Sequence, residues 1–405
     1  MPQLSAASSR RTFLAQSGAL ALGAGLSSSL FSARSALAAE AAVDSSKLSV
    51  IQEFLDSELK KGSYPGAGIV ASHKGKVFFE SYVGTYHNLL GEDKPFAADA
   101  RLIFYSYTKG VSATIVMTAV QDGLIDLDTP VATYIPEFAK NGKDKITLRH
   151  LMTHSAGIPS APSPFKPLRN EEEWKEAVQT VCDAKLEWTP GSQTAYHGSN
   201  MIIPAEVVRR KLDNKPWPQI ARERLFDPIG AKAIAYALPE DKSLVCVAPE
   251  GVKTSDGMHV LVPGHPAGGC VGTLSDGLRV LQLHLNHGTW EGQTVLKPAA
   301  WEEMHKVQYA KEIEAAGKSP KHEAWAIGWL TRGDGPARGG SGWFGFRDQK
   351  SPQIFGHAGI DTIIGVADPS TDVALMFATT RSPKSNEDAT RLRNTATNLV
   401  MAAVL

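Results

Sequence analysis

The chain has 405 residues, 42% hydrophobic and 21% charged, as in ordinary globular proteins. Its 42 basic and 42 acidic side chains give zero formal charge. With no basic stripe and no RNA-binding signature, the composition argues against nucleic acid as a partner. Three cysteines, Cys182, Cys246 and Cys270, are too few for a disulfide framework; one bridge stays open, and the sequence cannot pair them. No HExxH run or clustered Cys/His set points to a metal, and no cofactor is implied.

The first segment reads as an address rather than as fold. Ser9-Arg10-Arg11-Thr12-Phe13-Leu14 precedes a mild Ala/Gly/Leu/Ser stretch and then Ser35-Ala36-Leu37-Ala38-Ala39. That is a basic n-region, an apolar h-region and a small-residue cleavage site. The paired arginines resemble a twin-arginine export signal, so residues 1–38 are expected to be removed and the protein to be periplasmic or secreted. Cleavage there would remove Arg10, Arg11 and Arg34 and leave a formal charge of −3. No later stretch is long and apolar enough to span a bilayer.

From Pro65 two β-rich runs flank His73-Lys74-Gly75-Lys76, a predicted hairpin. Arg101 to Tyr105 is a short apolar stretch, and Gly110 to Val120 is apolar almost all round, the pattern of a buried helix. It ends near Gly123. Ile146 to Pro159 holds a short helical run stopped by Gly and Pro, and 159–168, with four prolines, is irregular. Helical patterns return at Glu171–Cys182, Met201–Leu212 and Trp217–Leu225, and at Ser275–His287 with Ser275 as the expected cap. Two apolar strands, Asp361–Ala367 and Asp372–Thr379, and an amphipathic helix from Asn386 to Leu405 close the chain. With strands at both ends and helices between, the expected class is α+β. An antiparallel sheet is formed by residues 45–105 plus 290–405, with a mainly helical region, 106–289, inserted and the active site at their interface.

Ser106-Tyr107-Thr108-Lys109 lies where the apolar strand gives way to the buried helix. Residues i and i+3 share a helix face, so the Lys109 amine can reach the Ser106 hydroxyl. A lysine in low-dielectric surroundings loses its charge more easily and can then take the serine proton to make a nucleophile. Two other Ser-x-x-Lys tetrads carry no such context. Ser57 and Lys60 lie on a solvated helix face. Ser163 and Lys166 sit among Pro162, Pro164 and Pro167, which cannot hold a helical turn.

Four blocks in order carry a family resemblance. They are Ser106-Tyr107-Thr108-Lys109; Leu148 to Gly157 (LRHLMTHSAG); Pro266-Ala267-Gly268-Gly269 followed by Thr273 and Asp276; and Gly356-His357-Ala358-Gly359. From about Pro65 to the C-terminus the chain resembles the class C-like branch of the serine β-lactamase and penicillin-binding superfamily. That branch also holds family VIII esterases, D-amino-acid peptidases and an oligoamide hydrolase. The resemblance implies an acyl-enzyme mechanism on Ser106, with Lys109 and a tyrosine moving the proton. The best match to the family's Tyr-x-Asn motif is Tyr196-His197-Gly198, after the Trp188-Thr189-Pro190-Gly191 turn. A phenol near an ammonium ionises below its usual pKa, so Tyr196 is expected to serve as base on Ser106 and as acid on the leaving group.

Two positions depart from the lactamase pattern. Gly198 stands where amide-handling relatives carry Asn, and Asn200 could replace it only through a bulged loop. His357-Ala358-Gly359 stands where lactamases have Lys-Thr-Gly, and resembles the peptidase and esterase variants. Gly359 leaves room beside the strand, and the implied oxyanion hole uses the backbone N–H groups of Ser106 and Ile360. His357 is placed to keep Lys109 or Tyr196 in the right protonation state, and Trp343, in ARGGSGWFGF, is a candidate pocket wall. His150 and His154 are read as structural, and Trp325 and Trp329 as packing on a strand face.

The expected activity is therefore an exported serine hydrolase acting on a small-molecule ester or amide, with a carboxylesterase favoured by Gly198 and His357. A D-alanyl peptidase or β-lactamase is the alternative within the chemistry. A non-catalytic ligand binder on the same scaffold is the alternative of another class. Natural substrate, oligomeric state and acyl transfer to an acceptor other than water are left open.

Overall fold

The structure, a computed structural model, describes residues 43–159, 166–197, 201–247, 262–311, 315, 322–333, 345–346, 348–360 and 363–404. The expected export segment, Ser163, Gly198, Asn200 and Trp343 lie outside these residues. Residues 45–405 form one compact unit.

Helix α1 (Ser45–Lys60) leads into β1 (Gly66–His73) and β2 (Lys76–Asn88), followed by β3 (Asp93–Pro95) and β4 (Leu102–Ile103). The β1–β2 hairpin turns on Lys74 and Gly75, both at positive φ, as a two-residue turn between right-twisted strands requires. A 3₁₀ turn at Tyr105–Tyr107 opens α2 (Thr108–Gln121), and α3 (Leu148–Met152), α4 (Glu171–Asp183), α5 (Ile202–Lys211) and α6 (Trp217–Ala221) follow. After β5 (Cys246–Val247) and β6 (Val271–Gly272) come α7 (Leu274–Leu285), the hairpin of β7 (Thr289–Trp290) and β8 (Gln293–Thr294), and α8 (Pro298–His305). Then β9 (Leu330–Thr331), β10 (Phe355–Ala358), β11 (Ile364–Asp368), β12 (Val373–Thr379) and α9 (Asn386–Ala402) complete the chain.

The main sheet runs β3-β2-β1-β12-β11-β10-β9, with β5 pairing β2, and every pairing in it is antiparallel. The two ends of the chain meet at its centre, with Ala67 opposite Thr379 and His73 opposite Val373. Both strands are buried along their whole length, because helices cover both faces. Val373, Leu375 and Phe377 pack with Ile69 and Ala71 against Leu55 of α1 and Leu392 and Ala396 of α9. The alternate residues Ala374, Met376 and Ala378 join the second core with Leu278 and Leu281 of α7. Period-two alternation thus splits one strand between two cores.

The expected α+β architecture is the one observed. The cap of α7 differs from expectation. Thr273, not Ser275, accepts the Asp276 N–H at 3.1 Å, so the cap lies two residues earlier and the helix begins on buried Leu274. The last strands begin at Ile364 and Val373, and the C-terminal helix ends at Ala402. The three cysteines are all buried and unpaired.

Candidate active site

Ser106 sits at the junction of a strand and a helix that are separately anchored. β4 pairs with β6, and Phe104 N–H donates to the Cys270 carbonyl at 2.8 Å. The Tyr107 hydroxyl reaches the Gly277 carbonyl of α7 at 2.9 Å. Between these anchors Tyr105 takes φ +43°, a left-handed conformation that costs a non-glycine residue energy and persists only when its surroundings fix it. That turn redirects the chain from β4 into the 3₁₀ turn, so that Ser106 and Lys109 lie on one face. From Thr108 to Ala119 every residue of α2 is buried; the helix is a core rod rather than a surface helix.

Lys109 is 1% exposed and Ser106 6%. Lys109 Nζ lies 2.9 Å from Ser106 Oγ and donates to the Ala267 carbonyl at 2.8 Å. Tyr196 donates its hydroxyl to Ser106 Oγ at 2.6 Å, and Lys109 Nζ stands 5.0 Å from the centre of the Tyr196 ring. The three residues singled out from the sequence therefore converge on one oxygen. The other described serine of a Ser-x-x-Lys tetrad, Ser57, is exposed on α1 and donates to the Phe54 carbonyl.

Burial alone brings the Lys109 pKa down from 10.5 to about 7; among the described residues no carboxylate holds its charge. Burial also raises the Tyr196 pKa above the ordinary phenol value, offset only in part by the bond to Ser106. This reverses the expected division of labour. A tyrosinate would need a firm lysine cation beside it, and this lysine gives up its own proton first. With Lys109 neutral, its lone pair accepts the Ser106 hydroxyl across the same 2.9 Å, its remaining N–H bonds Ala267, and the Tyr196 hydroxyl donates to Ser106. The protons then all run one way, from Tyr196 through Ser106 to Lys109.

Neutral rings surround this chain. His154 lies 4.7 Å from Tyr196 and 4.4 Å from Trp325, ring centre to ring centre. Trp325 stacks on Tyr196 at 5.9 Å with 17° between the planes, and His357 is 5.8 Å from each. Burial first and the Lys109 charge second push His154 and His357 well below the ordinary imidazole value, and His265 to about 3. His265 Nδ1 accepts the Ala267 N–H at 3.0 Å, which ties down the residue whose carbonyl receives Lys109.

The third motif abuts the nucleophile from the sheet side. A Cβ on Gly359 would sit 2.8 Å from the Phe104 carbonyl oxygen and 2.9 Å from Tyr105 Cβ. Glycine is needed here because the chain's own backbone makes the close approach. Ala358 is buried at the end of β10, and Ile360 follows Gly359 in the chain. His357 donates through Nδ1 to its neighbour's carbonyl, Ala358 O, at 2.7 Å.

Sequence reasoning missed three members. Ala267 acts through a backbone carbonyl, which leaves no side-chain signal. His265 lies just before the Pro266–Gly269 block, and only its contact with Ala267 reveals it. Trp325 sits against Tyr196 instead of merely filling a strand face, whereas Trp329 does pack in the core, its ring against Gly110 and Tyr107. His150 is structural, its Nδ1 receiving the Thr147 N–H at the start of α3.

The family model described as Beta-lactamase matches residues 49–398. The chain belongs to the β-lactamase family. It is a serine hydrolase of that family by fold and site chemistry. Among curated relatives it is similar to Esterase/beta-lactamase LipL of Mycobacterium tuberculosis, 30% identical over 36% of this chain. That match covers only 33% of the relative's own length. It is also similar to the D-alanyl-D-alanine-carboxypeptidase/endopeptidase AmpH of Escherichia coli, 23% identical over 69% of this chain and 73% of that one. Among solved structures, a family VIII carboxylesterase superposes with a TM-score of 0.66 at 20% identity, over 88% of this chain and 98% of the other, a likeness of fold.

Proposed function

We propose that the protein is a carboxylesterase that works through an acyl-enzyme on Ser106. The observation that carries this reading is the one-way proton chain Tyr196–Ser106–Lys109 ending on a lysine whose pKa is about 7. A base poised near neutrality removes a proton most effectively at neutral pH. Lys109 takes the Ser106 proton as Oγ attacks the ester carbonyl, and the N–H groups of Ser106 and Ile360 receive the developing oxyanion. Tyr196, held protonated, donates to the departing alkoxide, and the Lys109 ammonium beside its ring returns the proton to the phenolate, since the acylated Ser106 oxygen carries none. Water then attacks the acyl group by the reverse path. Esters suit a site with so weak an acid, because an alkoxide leaves with less help than an amine, and because Gly198 offers no side chain to an amide.

The AmpH match along most of both chains favours a second reading, a D-alanyl peptidase. A panel of short-chain p-nitrophenyl esters, nitrocefin and D-Ala-D-Ala peptides, run with Ser106→Ala as the blank, decides between them. The expected result is ester turnover well above the other two. Fast nitrocefin or peptide turnover with little esterase activity would overturn the preference. The export segment adds the proposal that the mature enzyme works outside the cytoplasm, which N-terminal sequencing of the native protein tests.

A further inference from the structure

A second polar feature lies one residue from the nucleophile. Where β4, β5 and the end of β12 converge, a small cleft is lined by Ile103, Tyr105, Ile363, Thr380, Arg381 and Ser382 among others. It is open to solvent and admits a small polar group. Tyr105 is the residue that turns the chain into Ser106, and Ile363 is bonded through its carbonyl to the Gly359 N–H at 2.7 Å, so both residues belong to the segments that build the active site.

Among the described residues, the charge in this cleft is unanswered. Every other arginine among the described residues donates to a carbonyl or carboxylate oxygen. Arg381 makes no such bond among them, although it is half-buried, and the lining contains no acidic residue. Its own carbonyl accepts from Thr379 Oγ1 at 2.8 Å, and Thr380 Oγ1 donates to Thr85 O at 2.7 Å, which ties the backbone around it down. A guanidinium fork on an anchored backbone fits a planar two-oxygen anion.

We propose that the Arg381 cleft binds a carboxylate on the substrate, so that the preferred substrates are acidic esters. This rests on the hydrolase reading above and names the substrate class of the same site. The carboxylate can belong to the acyl chain or to the alcohol, and the cleft's position beside Tyr105 serves either.

Three short esters matched in length test it: one neutral, one ending its acyl chain in a carboxylate, one carrying the carboxylate on the alcohol. The wild-type enzyme is expected to prefer one acidic ester by about tenfold to a hundredfold in kcat/KM, the scale of a hydrogen bond to a charged group. Arg381→Gln should abolish that preference through KM and leave the neutral ester's rate unchanged, which also shows that the variant folds. Whichever acidic ester gains identifies the side. Calorimetric titration of the same esters into Ser106→Ala protein measures binding without turnover. Tighter binding of an acidic ester there, lost when Arg381→Gln is added, upholds the cleft even if the wild type hydrolyses no ester, an outcome that would sink the esterase reading alone. Equal binding of acidic and neutral esters, or a preference that survives Arg381→Gln, overturns the proposal whatever the turnover.

Discussion

Replacing Lys109 by Met should stabilise the protein in acid and destabilise it in base. In the folded protein burial holds the Lys109 pKa at about 7, against 10.5 for the free side chain. Between those values the unfolded chain keeps a proton that the folded chain has released. Unfolding free energy therefore rises with pH, by about 1.4 kcal/mol per pH unit. The sign follows from a folded pKa that is depressed: the stability is fully present above 10.5, falls as pH drops towards 7, and changes no further below. The whole interval amounts to about 5 kcal/mol against the folded state at pH 6. Methionine keeps the length of the side chain and removes that penalty. It also strips the Ala267 carbonyl of the donor at 2.8 Å, and an unpaired buried carbonyl costs about 1–3 kcal/mol. The variant should thus be more stable than wild type by about 2–4 kcal/mol at pH 6, with the advantage shrinking above pH 7 and vanishing near about pH 9. Urea unfolding of both proteins at pH 6, 7.5, 9 and 10 measures it. A difference that stays flat across this range would refute the argument, because Lys109 would then keep its ordinary pKa and could not act as a base near neutrality.

The same titration should appear in catalysis. The kcat/KM for a neutral ester should rise through a pH of about 7 as Lys109 loses its proton, measured from pH 5 to 9; a profile flat below pH 7 would assign the base elsewhere. Tyr196→Phe removes the donor to Ser106 Oγ and should lower kcat by about a hundredfold or more while the limb near pH 7 stays in place. The Lys109→Ala/Tyr196→Phe double variant should lose far less than the product of the single losses, since both serve one relay; fully multiplicative losses would separate them. Gly359→Ala drives a methyl into the Phe104 carbonyl and Tyr105 and should cost about 1–3 kcal/mol of stability along with activity; a variant with wild-type stability and turnover would show that β10 need not touch the nucleophile segment.

What was legible in the sequence is what is local. Ser106 and Lys109 meet because three helical residues bring side chains to one face, and Gly110–Val120 announces its burial by having no polar side. Tyr196 was reachable only through resemblance, since 90 residues separate it from Ser106 and nothing in its neighbourhood marks it. The direction of its pKa was misjudged for a physical reason: an adjacent ammonium was assumed, whereas burial takes the charge from Lys109 itself. Ala267 and His265 were hidden because a backbone carbonyl and an imidazole bonded to the N–H of the same residue leave no pattern. At α7 the periodicity was right and the cap wrong, because Thr273 and Ser275 are equally good capping residues and only the position of Leu274 decides.

The pairing of β1 with β12 has a consequence for how the protein is made. Ala67 and Thr379 are neighbours in space but leave the ribosome at opposite ends of synthesis. Until the last strand emerges, β1 presents an open edge of eight residues, all buried in the finished sheet, to whatever else can pair with it. Closing so long a loop is slow rather than costly, so the nascent chain depends on the β1–β2 hairpin and on partial burial around α2 to stay out of aggregates meanwhile. A chain cut anywhere before Val373 would lose more than a strand and a helix. It would expose the middle of its own sheet, and its fate would be insolubility rather than a smaller active enzyme.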